Sequence, residues 1–354
     1  MKTNDSKAVN RRCRQSGMTL IEIMIAVTIS LVLLAGIMQV FLASKQTYRI
    51  QDGTSRLQEN SRFAMRFLTQ SVRMAGYSGC SGGSISPVNI VDLDGDGIPD
   101  PVSDFAGDGM AGYEYADLPL ALTSSNTLTA AEVLPDTDII VILRGSSENV
   151  QLTGNMSADN ANIQVAAASA AAAGFTADDI LFVSDCEAAD VFSINNVSNA
   201  GSKTTMSHSS ANNTGPKLSK AYSTDAVVMK LEKIAYYVGL NANGNPALFR
   251  RFMSGANMIT EELVEGTASL QLQYGEDTTA DGLANRYVNA PNVTNFANVV
   301  AVRIGLLMHT EEEINPDTDS NTYQVLDFLV DPTDDRRARR IFTNTVKLRN
   351  KGVI

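Results

Sequence analysis

The sequence predicts an α+β protein, with one long hydrophobic amino-terminal helix packed on an antiparallel β-sheet domain. Residues 18–43 form an almost unbroken apolar run. Between Leu57 and Ala75 apolar positions recur at three- and four-residue steps, the period of an amphipathic helix. From residue 138 onward, short apolar or alternating runs are separated by Asn/Gly turns, the pattern of antiparallel strands.

The apolar run comes first. Its 26 residues, at about 1.5 Å each, span roughly 39 Å, enough to cross a bilayer core of about 30 Å. Lys2, Lys7, Arg11, Arg12 and Arg14 precede it, so the leader stays cytoplasmic and the body lies outside. A secretory signal places a small-residue cleavage site after a shorter apolar core. Here Ser16 and Gly17 stand before the core. A cut after Gly17 would leave the whole helix on the mature chain, with Met18 as its new amino terminus. Glu22 is the one charge in the run, and a carboxylate at that depth needs a partner. Two partners stand open: the Met18 amine of the same helix end or the lipid headgroups.

The amphipathic half follows, with Leu57, Ala64, Phe67, Leu68, Val72 and Ala75 on one side and Arg62, Arg66 and Arg73 between them. Gly53 is expected to mark a kink and Gly76 the helix end. Residues 77–130 are rich in Asp, Gly and Ser, with little periodicity. "DIIVILRG" (138–145) reads as a buried strand, "QVAAASAAAAG" (164–174) as a short helix, and 179–194 as one or two strands carrying Cys186. Residues 195–220 read as an exposed polar loop. Strand candidates follow at 226–240, 247–253, 268–275, 299–310 and 323–330, with "NANGNP" as a turn.

Composition excludes several function classes. Formal charge is −11, and the leader is basic, so the body is more acidic still. That argues against nucleic acid as a primary partner. There are 2 His, and neither His208 nor His309 has Cys or His neighbours at metal-ligand spacing. "GDGMAG" (107–112) fits a dinucleotide fingerprint but follows no strand and sits among aspartates. A tethered enzyme would need a cleft of paired, perturbed groups, and no triad or catalytic pair is visible. The chain is therefore expected not to be an enzyme.

Three cysteines are present, Cys13, Cys80 and Cys186. If the leader is removed, Cys13 goes with it, and Cys80 and Cys186 can bridge in an oxidising compartment. Such a bridge would stabilise by roughly 4–5 kcal/mol in the chain-entropy model. The other reading is two buried free thiols. "DLDGDGIPD" (92–100) places Asp92, Asp94, Asp96 and Asp100 where they can curl round one calcium ion, with the Ile98 carbonyl as a further ligand. It departs from an EF-hand at Ser103, where a glutamate belongs, and Asp104 is a candidate to complete the shell. A solvated acidic turn is the competing reading. "DTTADGLAN" (277–285) is a weaker echo, read as a turn. Near the carboxy terminus, Arg336, Arg337, Arg339 and Arg340 make a basic run, expected as a solvated edge, a docking patch for an acidic neighbour or an anionic-lipid contact.

The stretch "GMTLIEIMIA" resembles the class III signal of type IV prepilins and pseudopilins. That resemblance implies cleavage between Gly17 and Met18 and methylation of the Met18 amine by a dedicated peptidase/methylase. Met18 departs from the usual Phe. It also implies that Glu22 meets the terminal amine of a neighbouring subunit in a filament. The blocks at 59–80, 183–194, 299–310 and 336–350 resemble the PilW family of type IV pilus minor pilins, with His309 where Arg is more usual. The implied architecture is a type IV pilin-like fold. It comprises a cleaved leader (1–17), a transmembrane and filament-core half-helix (18–43), an amphipathic half (44–76) and a β-rich periplasmic or extracellular head (77–354) carrying the Asp/Gly loop 92–112. The implied role is priming of pilus assembly and residence at the pilus tip, supporting twitching motility and adhesion. Implied partners are other minor pilins, the major pilin, the prepilin peptidase, a tip adhesin and, before assembly, the inner membrane. No cofactor is required, and structural Ca2+ is the one candidate. A type II secretion pseudopilin shares the leader, but this chain is long for one and the later blocks fit it less well.

Overall fold

The computed structural model describes residues 17–79, 87–100, 109–123, 126–255 and 257–350. They fall into two compact units, one ending at Asp52 and one starting at Gly53. The first is helical from Leu20, and its apolar residues from Met18 to Leu42 are exposed on every side. This helix is long and apolar enough to cross a membrane. Its hydroxyls are satisfied internally: Thr28 Oγ1 donates to the Met24 carbonyl at 3.0 Å and Ser30 Oγ to the Ala26 carbonyl at 2.7 Å. Neither of these hydroxyls needs water, as an apolar surrounding requires.

The second unit begins with the remainder of the same helix, α1 (Leu20–Met74). Here one stripe is buried, formed by Leu57, Ser61, Ala64, Leu68, Ser71 and Val72. Those steps of three and four place all six on one face. The stripe shares a core with Ile140, Tyr236, Leu272, Ile304 and Val346. Ser71 Oγ and Tyr236 Oη, both buried, are hydrogen-bonded at 2.7 Å. Gly53 lies inside the helix span. A Cβ there would stand 2.9 Å from Ile314 Cδ1, so the glycine serves close packing, where the sequence suggested a kink. Gly76 follows the helix end at φ 71°, as expected.

Two sheets face this stripe. The hub of the larger is strand Val227–Leu240. Its first residues pair with Ile180–Ser184, residues 231–236 with Asp138–Gly145, and residues 234–240 with Pro246–Ser254. Asn257–Glu265 closes that side as an edge. The second sheet is antiparallel throughout, in the order Arg286–Val288, Thr267–Glu276, Val299–His309, Arg339–Lys347. The sheets are tied by Asp138, whose Oδ2 accepts the Leu272 backbone N–H at 2.7 Å. The α+β prediction holds, with the helix packed on mainly antiparallel strands.

Several local expectations are corrected. Residues 195–220 contain a hairpin, Asn196–Ala200 with Lys203–Ser207, and Met206 and His208 are buried. The hairpin pairs with Ile163–Ala166, so only Ala167–Ala173 (α2) is helical in the alanine run. Residues 323–330 form two short strands around a turn. The basic run leads into the nine-residue strand Arg339–Lys347, and Asn257–Glu265 is also a strand. In both, charged residues occupy positions that an alternation test reads as loop.

Candidate functional site

The amino-terminal end of α1 is built by a capping box. Thr19 is the residue before the first helical turn, and Glu22 stands three places later. Glu22 Oε2 accepts the Thr19 backbone N–H at 2.8 Å and the Thr19 hydroxyl at 2.9 Å, while Glu22 N donates back to Thr19 Oγ1 at 3.4 Å. This reciprocal pattern satisfies backbone donors that the helix leaves open. Both carboxylate bonds use Oε2, so Oε1 makes none among the described residues. Gly17 and Met18 precede the helix, exposed and non-helical, and nothing lies within 4 Å of a Cβ built on Gly17. The Gly17–Met18 peptide is thus exposed among the described residues. The Thr19–Glu22 spacing of a capping box is present in the sequence, and it gives Glu22 a partner beyond the Met18 amine, the headgroups and a neighbouring subunit.

The Asp92 loop is ordered by its own carboxylates. Buried Asp92 accepts Gly95 N at 2.7 Å on Oδ1 and Gly97 N at 3.0 Å on Oδ2. Gly95 and Gly97 take φ of 75° and 81°, the left-handed region that glycine tolerates best. Ligand atoms of Asp92, Asp94 and Asp96 lie within 4.8 Å of one another. The Asp96 N–H draws the Asp94 pKa down, but desolvation and the negative charges of Asp96 and Asp100 push it up, and the net direction is up. That is what crowded carboxylates do without a cation. Asp100 does not join the three. It is buried at the base, where Oδ2 accepts Leu93 N at 2.6 Å. Ile98 N is held by Asp96 Oδ1 at 2.7 Å, and Ser103 and Asp104 lie outside the described residues.

The Asp277 loop repeats the frame without the charges. Asp277 Oδ2 accepts Gly282 N at 2.6 Å, as Asp92 accepts Gly97. Burial alone would raise the Asp277 pKa, but the N–H groups of Gly282, Thr279 and Asp281 outweigh it and the direction is down. Asn285 Oδ1 accepts Thr278 N at 2.7 Å. This arrangement is a self-satisfied turn, as its sequence suggested.

The four arginines do not form one basic face. Arg336 pairs with Glu313 at 3.1 Å. Arg339 is buried between Asp319 at 3.2 Å and Asp335 at 2.8 Å. Arg337 lies 3.8 Å from Asp335 and contacts His309 Nδ1 at 3.4 Å. Arg340 lies over the Phe342 ring. Arg339 and Arg340 open a strand and so point to opposite faces, while Arg336 and Arg337 precede it. Burial lowers the His309 pKa, and the Arg337 and Arg339 charges add to it against the Thr310 carbonyl. Cys186 is disulfide-bonded, and its expected partner Cys80 lies outside the described residues. Residues 107 and 108 also lie outside them, and "GDGMAG" runs into strand Met110–Glu114, which does not supply the helix a dinucleotide site needs.

Comparison with known protein families gives two matches. The model of type IV pilus-assembly protein W matches residues 235–350, and that of the prokaryotic N-terminal methylation motif matches residues 12–38. The second covers Gly17, Met18, Thr19 and Glu22. The first covers the second sheet and the last residues of the hub strand. Both families are of structural, pilin type. No curated protein and no solved structure matches the chain.

Proposed function

The two matches support a PilW-family type IV pilin with a prepilin-type signal and a role in pilus assembly, and from that premise we propose that the chain is a minor pilin that primes the filament and sits at its tip. In this role it supports twitching motility and adhesion. It works with other minor pilins, the major pilin and a tip adhesin. The peptidase cuts between Gly17 and Met18 and methylates the new amine. The helix holds the chain in the inner membrane, body outward, until assembly draws it into the filament.

The observation that carries this reading is Glu22. It is the one charge in an exposed apolar helix surface that must be covered by lipid or by other subunits. One of its oxygens closes the helix cap and the other is open. A neighbour's methylated Met18 amine would take the open oxygen and neutralise the carboxylate as both leave water. The test is Glu22→Ala in the full chain, scoring cleavage, surface pili and motility beside protein secretion. Cleavage with lost pilus incorporation is expected. Intact pili with a secretion defect would favour a type II pseudopilin.

We also propose a Cys80–Cys186 bridge in the exported chain, checked by peptide mapping without reductant. The Asp92 loop is proposed as a calcium loop of modest affinity, with Asp92, Asp94 and Asp96 as the carboxylate ligands. Hard oxygens crowded on a glycine turn suit that ion. Calorimetry with Ca2+ and a melting shift test it, and Asp94→Asn should abolish both. Absence of either in the parent chain would leave a solvated turn.

A further inference from the structure

A second surface is set apart by its charge. On the exposed side of the packed half of α1, Arg62, Arg66, Thr69 and Arg73 succeed one another at steps of three or four. Beside them runs the edge strand Arg339–Lys347, which has no strand partner on its outer side among the described residues. Between the two lies a groove walled by Arg66, Thr69, Arg73, Asn344 and Arg349, with Met65 and Met74 also lining it. Its walls are fixed to each other. Asn344 Nδ2 donates to Thr69 Oγ1 at 3.1 Å, Arg349 N to the Arg73 carbonyl at 3.1 Å, and Asn350 Nδ2 to the Ala75 carbonyl at 3.1 Å.

No carboxylate lines this groove. Arg66, Arg73 and Arg349 are exposed, and none forms an ion pair with a described residue. Elsewhere in the head Arg144, Arg250, Arg251, Arg286, Arg336 and Arg339 all meet acidic partners. On a chain of net charge −11, three guanidinium groups without a carboxylate partner come together on one groove.

We propose that this groove is a docking site for an extended acidic segment of a neighbouring pilus subunit. The proposal rests on the pilin reading for the source of the segment and on the groove itself for its chemistry. Arg66 and Arg73 are two helical turns apart, about 10 Å, the length of roughly three extended residues. Carboxylates at alternate positions of a strand stand about 6.8 or 13.6 Å apart, on either side of that span, so the long arginine side chains can lean to engage two of them, with Arg349 on the opposite wall. Guanidinium forks suit carboxylates bidentately. Thr69 and Asn344 add hydrogen-bonding groups, and the methionines suit an irregular apolar contact. These amide and hydroxyl groups beside a strand edge favour a peptide over a lipid headgroup.

The test uses the full leader-cleaved chain in detergent micelles. Fluorescence anisotropy is read with two labelled hexapeptides, one alternating Glu and Thr and one alternating Gln and Thr, and with phosphatidylglycerol vesicles. The Glu peptide should bind at least about tenfold more tightly than the Gln peptide and weaken with added salt. Arg66→Gln, Arg73→Gln and Arg349→Gln together should remove that preference. Arg66→Gln alone should reduce it, and Arg340→Gln, outside the groove, should leave it unchanged. Equal binding of the two peptides, or a preference that survives the triple variant, overturns the proposal. So does arginine-dependent binding to vesicles with none to the Glu peptide. The assay needs no filament, so a negative result removes the groove alone, whereas the pilin reading fails or stands on Glu22→Ala.

Discussion

Leu33 and Leu68 belong to one helix and meet opposite surroundings. Leu33 is 62% exposed and Leu68 is fully buried. Around Leu33 every face is apolar, and within its own unit the residues from Met18 to Leu42 find no cover. Around Leu68 a single stripe is apolar and the chain's own two sheets cover it. A helix that is apolar all round is built for lipid or for other helices, whereas a striped one is built for its own domain. The same secondary structure therefore does two jobs, and the sequence periodicity says which is which.

The comparison can be broken first at Leu68. Leu68→Ala should destabilise the head by about 2–5 kcal/mol, read by denaturant unfolding of the full chain in detergent. Leu33→Ala should leave that midpoint unchanged. Equal effects would mean that the two halves are not separate in kind.

A slightly smaller effect is expected at Asp138, inside the packed body. Burial raises its pKa to about 7, and the Glu114 and Asp327 charges add to this against the Leu272 N–H. In the unfolded chain it titrates near the usual aspartate value of about 3.9. Between pH of about 4 and 7 the folded state keeps a proton that the unfolded state has lost, so stability falls as pH rises. The loss should be on the order of 4 kcal/mol across that window. Asp138→Asn keeps an oxygen for Leu272 and should flatten the slope. An unchanged slope would assign the pH dependence elsewhere. No such term is expected from the apolar half, where residues 23–42 are uncharged.

Gly53 sharpens the boundary. Gly53→Leu should cost about 1–3 kcal/mol by forcing Ile314 aside. Gly36→Leu, with nothing within 4 Å of its Cβ site, should not lower the unfolding midpoint. Smallest is Ser71→Ala, which removes one partner of the buried Tyr236 hydroxyl and leaves Arg250 as the other, and should cost about 1 kcal/mol.

The helix stripe was legible because Leu57, Ala64, Leu68 and Val72 repeat at the helical period. Strand Asp138–Gly145 was legible because burial on both faces leaves a continuous apolar run. The hairpin at 196–207 was hidden because one face lies in water and its buried residues, Thr204 and Met206, stand among Lys, Ser and Asn. Arg339–Lys347 was hidden because its first side chains are charged, and Arg339 is buried only through Asp319 and Asp335, which no local pattern supplies. Of the candidate residues, Gly17, Met18 and Glu22 were legible from one short spacing. The arginine groove was not, because Arg349 reaches Arg66 and Arg73 only through the fold.

The central claim is that Glu22 joins subunits as well as capping its own helix. The most direct measurement counts the chain in sheared surface pili for the parent, Glu22→Ala and Glu22→Gln, with amino-terminal mass confirming cleavage at Met18. Gln keeps an oxygen for Thr19 but lacks the charge. The account predicts normal cleavage and head stability in both variants, with both lost from the pili. Normal pilus content in Glu22→Gln would show that the cap alone matters and would contradict it.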